Sequence, residues 1–139
     1  FMPPVEIDGQ MYVDGALGPS GGIALDAAKA DGFEKFLVVL TRPRDYVKKP
    51  FRADAVTRRV FKEYPAVTEA LMQRPDNYNR TREELFDLEA DGKAYVFAPT
   101  GYLVSNQERR FPRLERAYAE GTQQIRSEMP AIKEFLGLA

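Results

Sequence analysis

The segment around Asp14 places an acidic side chain where hydrolytic sites often have one. Residues 12–16 read YVDGA, so a short apolar stretch ends in Asp14 and Gly15 then turns the chain away. A carboxylate that follows a strand lies at the carboxyl edge of a sheet, where open α/β sheets place their sites. Asp14 is therefore the first candidate catalytic residue, as a general base. The alternative is that Asp14 and Gly15 form an ordinary turn, since Asp-Gly pairs are common in turns.

A candidate nucleophile, Ser20, follows shortly after Asp14. Residues 18–22 read GPSGG and satisfy the G-x-S-x-G pattern. That pattern forms a nucleophile elbow when the serine lies at a sharp turn from strand to helix, whereas Ser20 lies within a loop. Two interpretations stay open: a flexible loop near a helix start, and a minimal hydrolase that uses Ser20 together with Asp14.

Two residue types are missing, and their absence limits the chemistry. The 139 residues include no histidine and no cysteine. A Ser-His-Asp triad, a cysteine nucleophile and a His- or Cys-based metal site therefore cannot be built from this chain. Its net charge is -1, with 20 basic and 21 acidic side chains, which argues against a nucleic-acid partner. We predict no cofactor and no metal.

A small basic cluster, Arg42, Arg44, Lys48 and Lys49, follows an apolar run. One interpretation is contact with a phosphate or a lipid headgroup. The other is a solvated loop near a sheet edge, which the sequence favours.

The first forty residues are predicted to fold as hairpin, loop, helix and buried strand. Asp8-Gly9 predicts a hairpin over residues 5–13. Apolar spacing predicts a helix over residues 23–31, with Gly32 after its end. The run FLVVL within residues 35–41 predicts a strand covered on both faces. We expect these elements to form a βαβ unit.

The rest of the chain is predicted to be rich in helices, with one further strand. The strand is expected over residues 94–98. Helices are expected over 53–63, from Pro65 to a break at 74–76, over 81–90, over 111–129, and from Pro130 onward. The fold class is therefore α/β, with residues 1–50 and 51–139 packed as one domain.

Longer stretches resemble the bacterial patatin-like phospholipases. They are YVDGA, then GGIALDAAKADG at 21–32 and FLVVLTRPRDYVKK at 36–49. The later segments KEYP, RPDNYNRTREELFDLEADGKAYVFAP and RLERAYAEG resemble the C-terminal region of that family. The resemblance implies that residues 1–50 are the C-terminal portion of a mostly parallel patatin-like core. Residues 51–139 would then be the helix-rich region that follows it.

The resemblance also implies an activity, lipid acyl hydrolysis by a Ser-Asp dyad. The family's DG[GA] motif supplies the dyad aspartate and matches Asp14, Gly15 and Ala16. Arg42, in the family's TRP stretch, would order the loop near the active site. The family's glycine-rich loop and nucleophilic serine lie well upstream of the aspartate. We therefore expect a C-terminal half of such an enzyme, which lacks the nucleophile and is inactive alone.

The expected partners follow from that interpretation. They are a lipid or acyl-ester substrate, the N-terminal half of the same protein, and a second copy of the fragment, joined through apolar residues that lack their natural cover. The expected location is the cytoplasm, with peripheral membrane contact. The alternative function is a non-catalytic α/β interaction module. A glycine-rich loop and a G-x-S-x-G after a strand, upstream in the source sequence, would favour the enzyme.

Overall fold

The computed structural model describes residues 4–52 and 55–138, which form a mixed α/β structure. These residues contain four α-helices, a short 3-10 helix and two two-stranded sheets. The chain divides into two compact units: Phe1–Glu34 with Val47–Asp87, and Lys35–Tyr46 with Leu88–Ala139.

The first unit begins with the predicted hairpin, which is confirmed. Strand β1, Val5–Ile7, pairs antiparallel with strand β2, Gln10–Tyr12. Asp8 and Gly9 between them both have positive φ, 51° and 78°. Tight two-residue hairpin turns of the I′ type need that conformation at both positions, and Asp-Gly tolerates it well.

Three helices come next in chain order, and the last residues of the third, from Leu88, belong to the second unit. Helix α1, Leu25–Ala30, is shorter than the predicted helix, and Gly32 follows it with φ 87°. Helix α2, Ala55–Val60, ends earlier than expected, while the predicted start at Ala53 lies outside the described residues. Helix α3 is Pro65–Ala90.

Helix α3 runs through Pro75, so the predicted break at 74–76 and the separate helix from Thr81 are wrong. A proline inside a helix removes one backbone hydrogen bond and crowds the preceding turn, at a cost of about 3 kcal/mol. Pro75 is itself buried, as are Leu71 before it and Leu85 after it. Burial of this continuous face offsets the proline cost, which no local pattern reveals.

The loop between the hairpin and α1 is fixed to α3 at two points. Arg80 Nη2 donates a hydrogen bond to the Pro19 carbonyl at 3.0 Å. Gly21 has φ 67°, and a Cβ there would lie 2.4 Å from the backbone nitrogen of Tyr78. Only glycine allows both this conformation and this close approach. An ion pair between Lys29 and Glu84 joins α1 to the same helix.

The second unit contains a parallel strand pair. Strand β3, Phe36–Val39, pairs with strand β4, Ala94–Phe97, with Phe36 opposite Ala94. Both predicted strands are therefore confirmed. The expected βαβ unit of the first forty residues is wrong, because β3 takes its partner from later in the chain and the hairpin forms a separate sheet.

Only one face of β3 is covered. Phe36 and Leu40 are buried, whereas Leu37 and Val39 are exposed. The prediction of a strand covered on both faces is therefore wrong for the part of the chain that the structure describes. Alternation of buried and exposed side chains is the pattern of a half-buried strand, although the run is apolar throughout.

Side chains bind the outer edge of β4. Glu89 Oε1 accepts from the Val96 amide at 2.9 Å, and Arg44 Nη2 donates to the Val96 carbonyl at 2.9 Å. Arg44 and Glu89 also join through two contacts of 2.7 Å. The two charged groups thus satisfy backbone polar groups at this edge of β4, which pairs with no strand among the described residues.

Helix α4, Phe111–Leu136, packs beside β4 in the same unit. Gln124 Nε2 donates to the Ala98 carbonyl at 2.8 Å, and the Tyr95 hydroxyl donates to Glu128 at 3.0 Å. The helix continues through Pro130, so the predicted separate last helix is wrong. Ile132 is buried two residues after the proline, so packing again keeps the helix continuous.

Glu108 anchors the start of α4. Its Oε1 accepts from the amides of Arg109 and Arg110, each at 3.0 Å, and its Oε2 accepts from Arg113 Nη1 at 3.0 Å. The Arg110 amide and then the Arg113 guanidinium lower the pKa of Glu108 from 4.5 to about 2.

Within residues 4–52 and 55–138, no helix combines the length and the apolar character needed to cross a membrane.

Replacing Gly21 with alanine is expected to destabilise the chain more than the same change at Gly32. Both glycines have positive φ, 67° and 87°, but a Cβ at Gly32 meets nothing within 4 Å. Gly32→Ala should therefore cost only the conformational penalty, about 1–2 kcal/mol in the free energy of unfolding. Gly21→Ala adds a collision with α3. Urea unfolding measures both variants, and equal losses would show that Gly21 is not held against Tyr78.

Glu108 should titrate far below an ordinary glutamate. Its pKa is lowered, so its contribution to stability is fully present above pH 4.5 and disappears as the pH falls towards 2. Carbon-13 NMR of the side-chain carboxyl should give a midpoint of about 2. Glu108→Gln should lower stability at neutral pH and match the unchanged chain in strong acid. A midpoint near 4.5 contradicts the contacts described for Glu108.

Candidate functional site

One pocket of the first unit collects four of the residues singled out in the sequence. It has a volume of about 450 Å³, and Asp14, Gly15, Ala16 and Ser20 line it. The other lining residues are Gly18, Pro19, Gly22, Ile23, Ala24, Asp26 and Ala27. The titratable groups of this lining are two carboxylates, and no lysine or arginine belongs to the lining that the structure describes.

Asp14 is placed by the end of β2 and the short 3-10 helix Gly15–Leu17. Its Oδ1 accepts a hydrogen bond from the Ala16 amide at 2.9 Å, so the side chain caps that helix. Its other oxygen has no hydrogen-bond partner within the described ranges, and the residue is exposed. The carboxylate is thus oriented by one oxygen and available through the other, as a general base requires.

Ser20 is bonded to Asp26 and not to Asp14. The Ser20 hydroxyl donates to Asp26 Oδ1 at 2.7 Å, and the Ala27 amide donates to the same oxygen at 2.9 Å. These two bonds, the serine first, lower the pKa of Asp26. A carboxylate with a lowered pKa is a weaker base at neutral pH. The Ser20–Asp26 contact therefore ties the loop to the first turn of α1.

The backbone around Ser20 also differs from a nucleophile elbow. The residues before it form a 3-10 helix and a turn, with no strand directly ahead of the serine. An elbow needs a strand there, so that the hydroxyl projects from the top of a sheet. Asp26, which holds Ser20, was missed in the sequence. The only local cue was an aspartate in the first turn of a predicted helix.

Arg42 belongs to the second unit and lines a different pocket. Its Nη2 donates to Asn106 Oδ1 at 3.3 Å, and its guanidinium lies 5.3 Å from the centre of the Tyr46 ring. The contact with Asn106 joins the loop after β3 to the segment before α4. A role in ordering an active-site loop stays a prediction.

Two other members of the basic cluster, Arg44 and Lys48, contact specific side chains. Arg44 is engaged by Glu89, which raises the pKa of Arg44. The Lys48 ammonium lies 4.9 Å from the centre of the Tyr78 ring. Arg44 and Lys48 therefore make contacts that stabilise the fold.

The possible metal ligands of this chain are carboxylates, since it has no histidine and no cysteine. Across the described ranges, no group of three acidic side chains lies close enough together to hold an ion.

Comparison with known proteins identifies a family. Residues 64–137 match the family described as Domain of unknown function (DUF6363). No curated protein and no solved structure matches the chain. The matching segment runs from Tyr64, just before α3, to Gly137, just after α4, and covers more than half of the 139 residues. The chain therefore belongs to the DUF6363 family.

Proposed function

We propose that this chain is the C-terminal part of a patatin-like lipid acyl hydrolase, a phospholipase or esterase. Asp14 is the aspartate of a Ser-Asp dyad, and a segment upstream in the same protein supplies the nucleophilic serine. The observation that carries the proposal is the Asp14 carboxylate, with one oxygen held by the Ala16 amide and the other open in a pocket. The absence of histidine from the chain agrees with a dyad that needs none.

The proposed reaction has two stages. The serine hydroxyl attacks the ester carbonyl and passes its proton to Asp14, and the alcohol then leaves with that proton. Water next attacks the acyl-enzyme with Asp14 as its base, which releases the acid and restores the serine. Backbone amides of the upstream glycine-rich loop would stabilise the oxyanion.

Gly15 and Ala16 serve the proposed site through the backbone. The Ala16 amide fixes the rotation of the Asp14 carboxylate. A Cβ added at Gly15 would meet nothing within 4 Å, so that position leaves room beside the carboxylate. An acyl chain approaching Asp14 therefore meets little steric hindrance from the residue that follows it.

The uncovered face of β3 supports the proposed upstream half. Parallel strands are usually covered on both faces, yet Leu37 and Val39 are 43% and 65% exposed. Further strands and helices of a mostly parallel patatin-like sheet would cover them. The proposed substrate is a lipid or acyl ester, and the proposed location is the cytoplasm with peripheral contact to the membrane.

Activity of the longer protein tests the proposal. We expect the product purified from its native source to extend upstream of Phe1 and to hydrolyse p-nitrophenyl esters. Asp14→Asn should lower kcat/KM by roughly 10²–10⁴-fold, because it removes the general base. Asp31→Asn, an exposed aspartate after α1, is the matched control and should leave the rate unchanged. An active Asp14→Asn protein contradicts the dyad.

The minimal hydrolase built on Ser20 makes a different prediction. If the 139-residue chain hydrolysed esters alone through Ser20 and Asp14, Ser20→Ala would abolish the activity, although the structure bonds Ser20 to Asp26 at 2.7 Å. Under our proposal the chain alone is inactive, and Ser20→Ala does not silence the longer protein. Ester hydrolysis by the isolated chain that is lost in Ser20→Ala would favour the minimal hydrolase instead.

The alternative, a non-catalytic α/β interaction module, is favoured by the exposed hairpin. Its apolar side chains are largely accessible: Val5, Ile7, Met11, Tyr12 and Val13. Such a surface suits another protein or a second copy of the chain. An upstream sequence without a glycine-rich loop and without a G-x-S-x-G after a strand would make this the better account.

A further inference from the structure

We propose that a second pocket, at the carboxyl ends of β3 and β4, binds a small amphiphilic anion through the Arg42 guanidinium and an apolar wall. The anion has an oxyanion head, carboxylate or phosphate, and a short alkyl tail. All lining residues belong to the second unit, so the inference is independent of the chemistry proposed for Asp14.

The pocket lies where a parallel strand pair presents its ends. Leu40 and Thr41 follow β3 directly, and Pro99 follows β4 after one intervening residue. The strand ladder continues to the pocket, because the Leu40 amide donates to the Phe97 carbonyl at 2.8 Å. Open α/β sheets bind ligands at this end. The volume, about 440 Å³, falls within the range of small-molecule sites.

The charge of the pocket comes from Arg42. Among the lining residues that the structure describes, Arg42 is the one charged side chain, and none of them carries a carboxylate. Four other arginines of this unit pair with glutamates: Arg44, Arg110, Arg113 and Arg116. Arg42 has no ion pair anywhere in residues 4–52 and 55–138. A half-buried guanidinium without a charged partner gains more from an anion than a solvated one does.

The existing contacts of Arg42 hold it without satisfying its charge. Asn106 offers a neutral oxygen at 3.3 Å, and the Tyr46 ring lies beside the guanidinium. The remaining N–H donors can form the two-pronged contact that arginine makes with carboxylate and phosphate. The hydroxyls of Thr41 and Ser105 line the same pocket and can donate to the oxyanion as well.

The remainder of the lining suits an alkyl chain. Leu40, Leu103, Val104, Ala117 and Pro99 supply apolar surface, and Leu40 is buried beneath it. Tyr102 completes the wall, and its ring lies 4.4 Å from the Arg116 guanidinium, which limits its movement. A ligand that only carries charge would leave this wall in water, and a neutral alkane would leave Arg42 unpaired. Both halves of the ligand are therefore needed.

Binding of decanoate to the 139-residue chain tests the proposal, with amide NMR shifts and calorimetry as readouts. We expect saturable binding, with the largest shifts at Thr41, Arg42, Ser105 and Asn106. Arg42→Gln should weaken binding by about tenfold or more, because a hydrogen-bonded charge contact is lost. Arg126→Gln, an exposed arginine of α4 outside this pocket, is the matched control and should keep the affinity.

Further probes separate the two parts of the ligand. Decanol and acetate should each bind at least about tenfold more weakly, since each lacks one part. Decyl phosphate and decanoate, titrated separately, distinguish a phosphate head from a carboxylate head. Ala117→Leu places a larger side chain in the pocket and should abolish binding while Arg42 is unchanged. This variant tests the pocket even if Arg42→Gln does not fold. The proposal fails if decanoate does not saturate, if decanol binds equally well, or if both pocket variants keep the affinity.

Discussion

The Glu89 carboxylate joins three segments of the second unit, and the arrangement around the parallel strand pair depends on it. It lies near the end of α3, accepts from the Val96 amide of β4, and holds Arg44 of the loop after β3. Arg44 in turn donates to the Val96 carbonyl. These contacts lower the pKa of Glu89, the Arg44 guanidinium first, so the carboxylate stays ionised at neutral pH. Because charged hydrogen bonds are about twice as strong as neutral ones, this network can bind the edge of β4, which lacks a neighbouring strand in the part of the chain that the structure describes.

The same network separates the roles of two neighbouring arginines. Arg44 is engaged with Glu89 and serves the structure. Arg42, two positions earlier, has a neutral partner in Asn106 and faces an apolar pocket. The residues are alike in type and close in sequence, yet only one has its charge balanced. Such a difference follows from which carboxylate reaches which guanidinium in the folded chain.

The two pockets have opposite chemistry. The lining of the first carries the carboxylates Asp14 and Asp26, with backbone donors supplied by Ala16 and Ala27. The lining of the second carries Arg42. An acidic pocket can accept a proton from a hydroxyl, whereas a basic one can bind an anion.

The sequence predicted secondary structure correctly where a few neighbouring residues decide the conformation. The Asp8-Gly9 turn, the strands within 35–41 and 94–98, and the mixed α/β class all depend on short-range patterns. Predictions failed where distant packing decides. Proline at 75 and at 130 was expected to interrupt the helical pattern. Instead, α3 continues with buried residues on both sides of Pro75, and α4 continues with Ile132 buried just after Pro130.

By itself, the sequence determined which chemistry is possible: no histidine or cysteine, an aspartate after a strand, and a serine in a glycine-rich loop. Only the tertiary structure decided the partners. It pairs β3 with β4, bonds Ser20 to Asp26, and leaves one Asp14 oxygen open. Turn and helix preferences act over a few residues, whereas Arg44 and Glu89 are 45 positions apart. Contacts of that span depend on how whole elements pack, so residue type and spacing alone do not specify them.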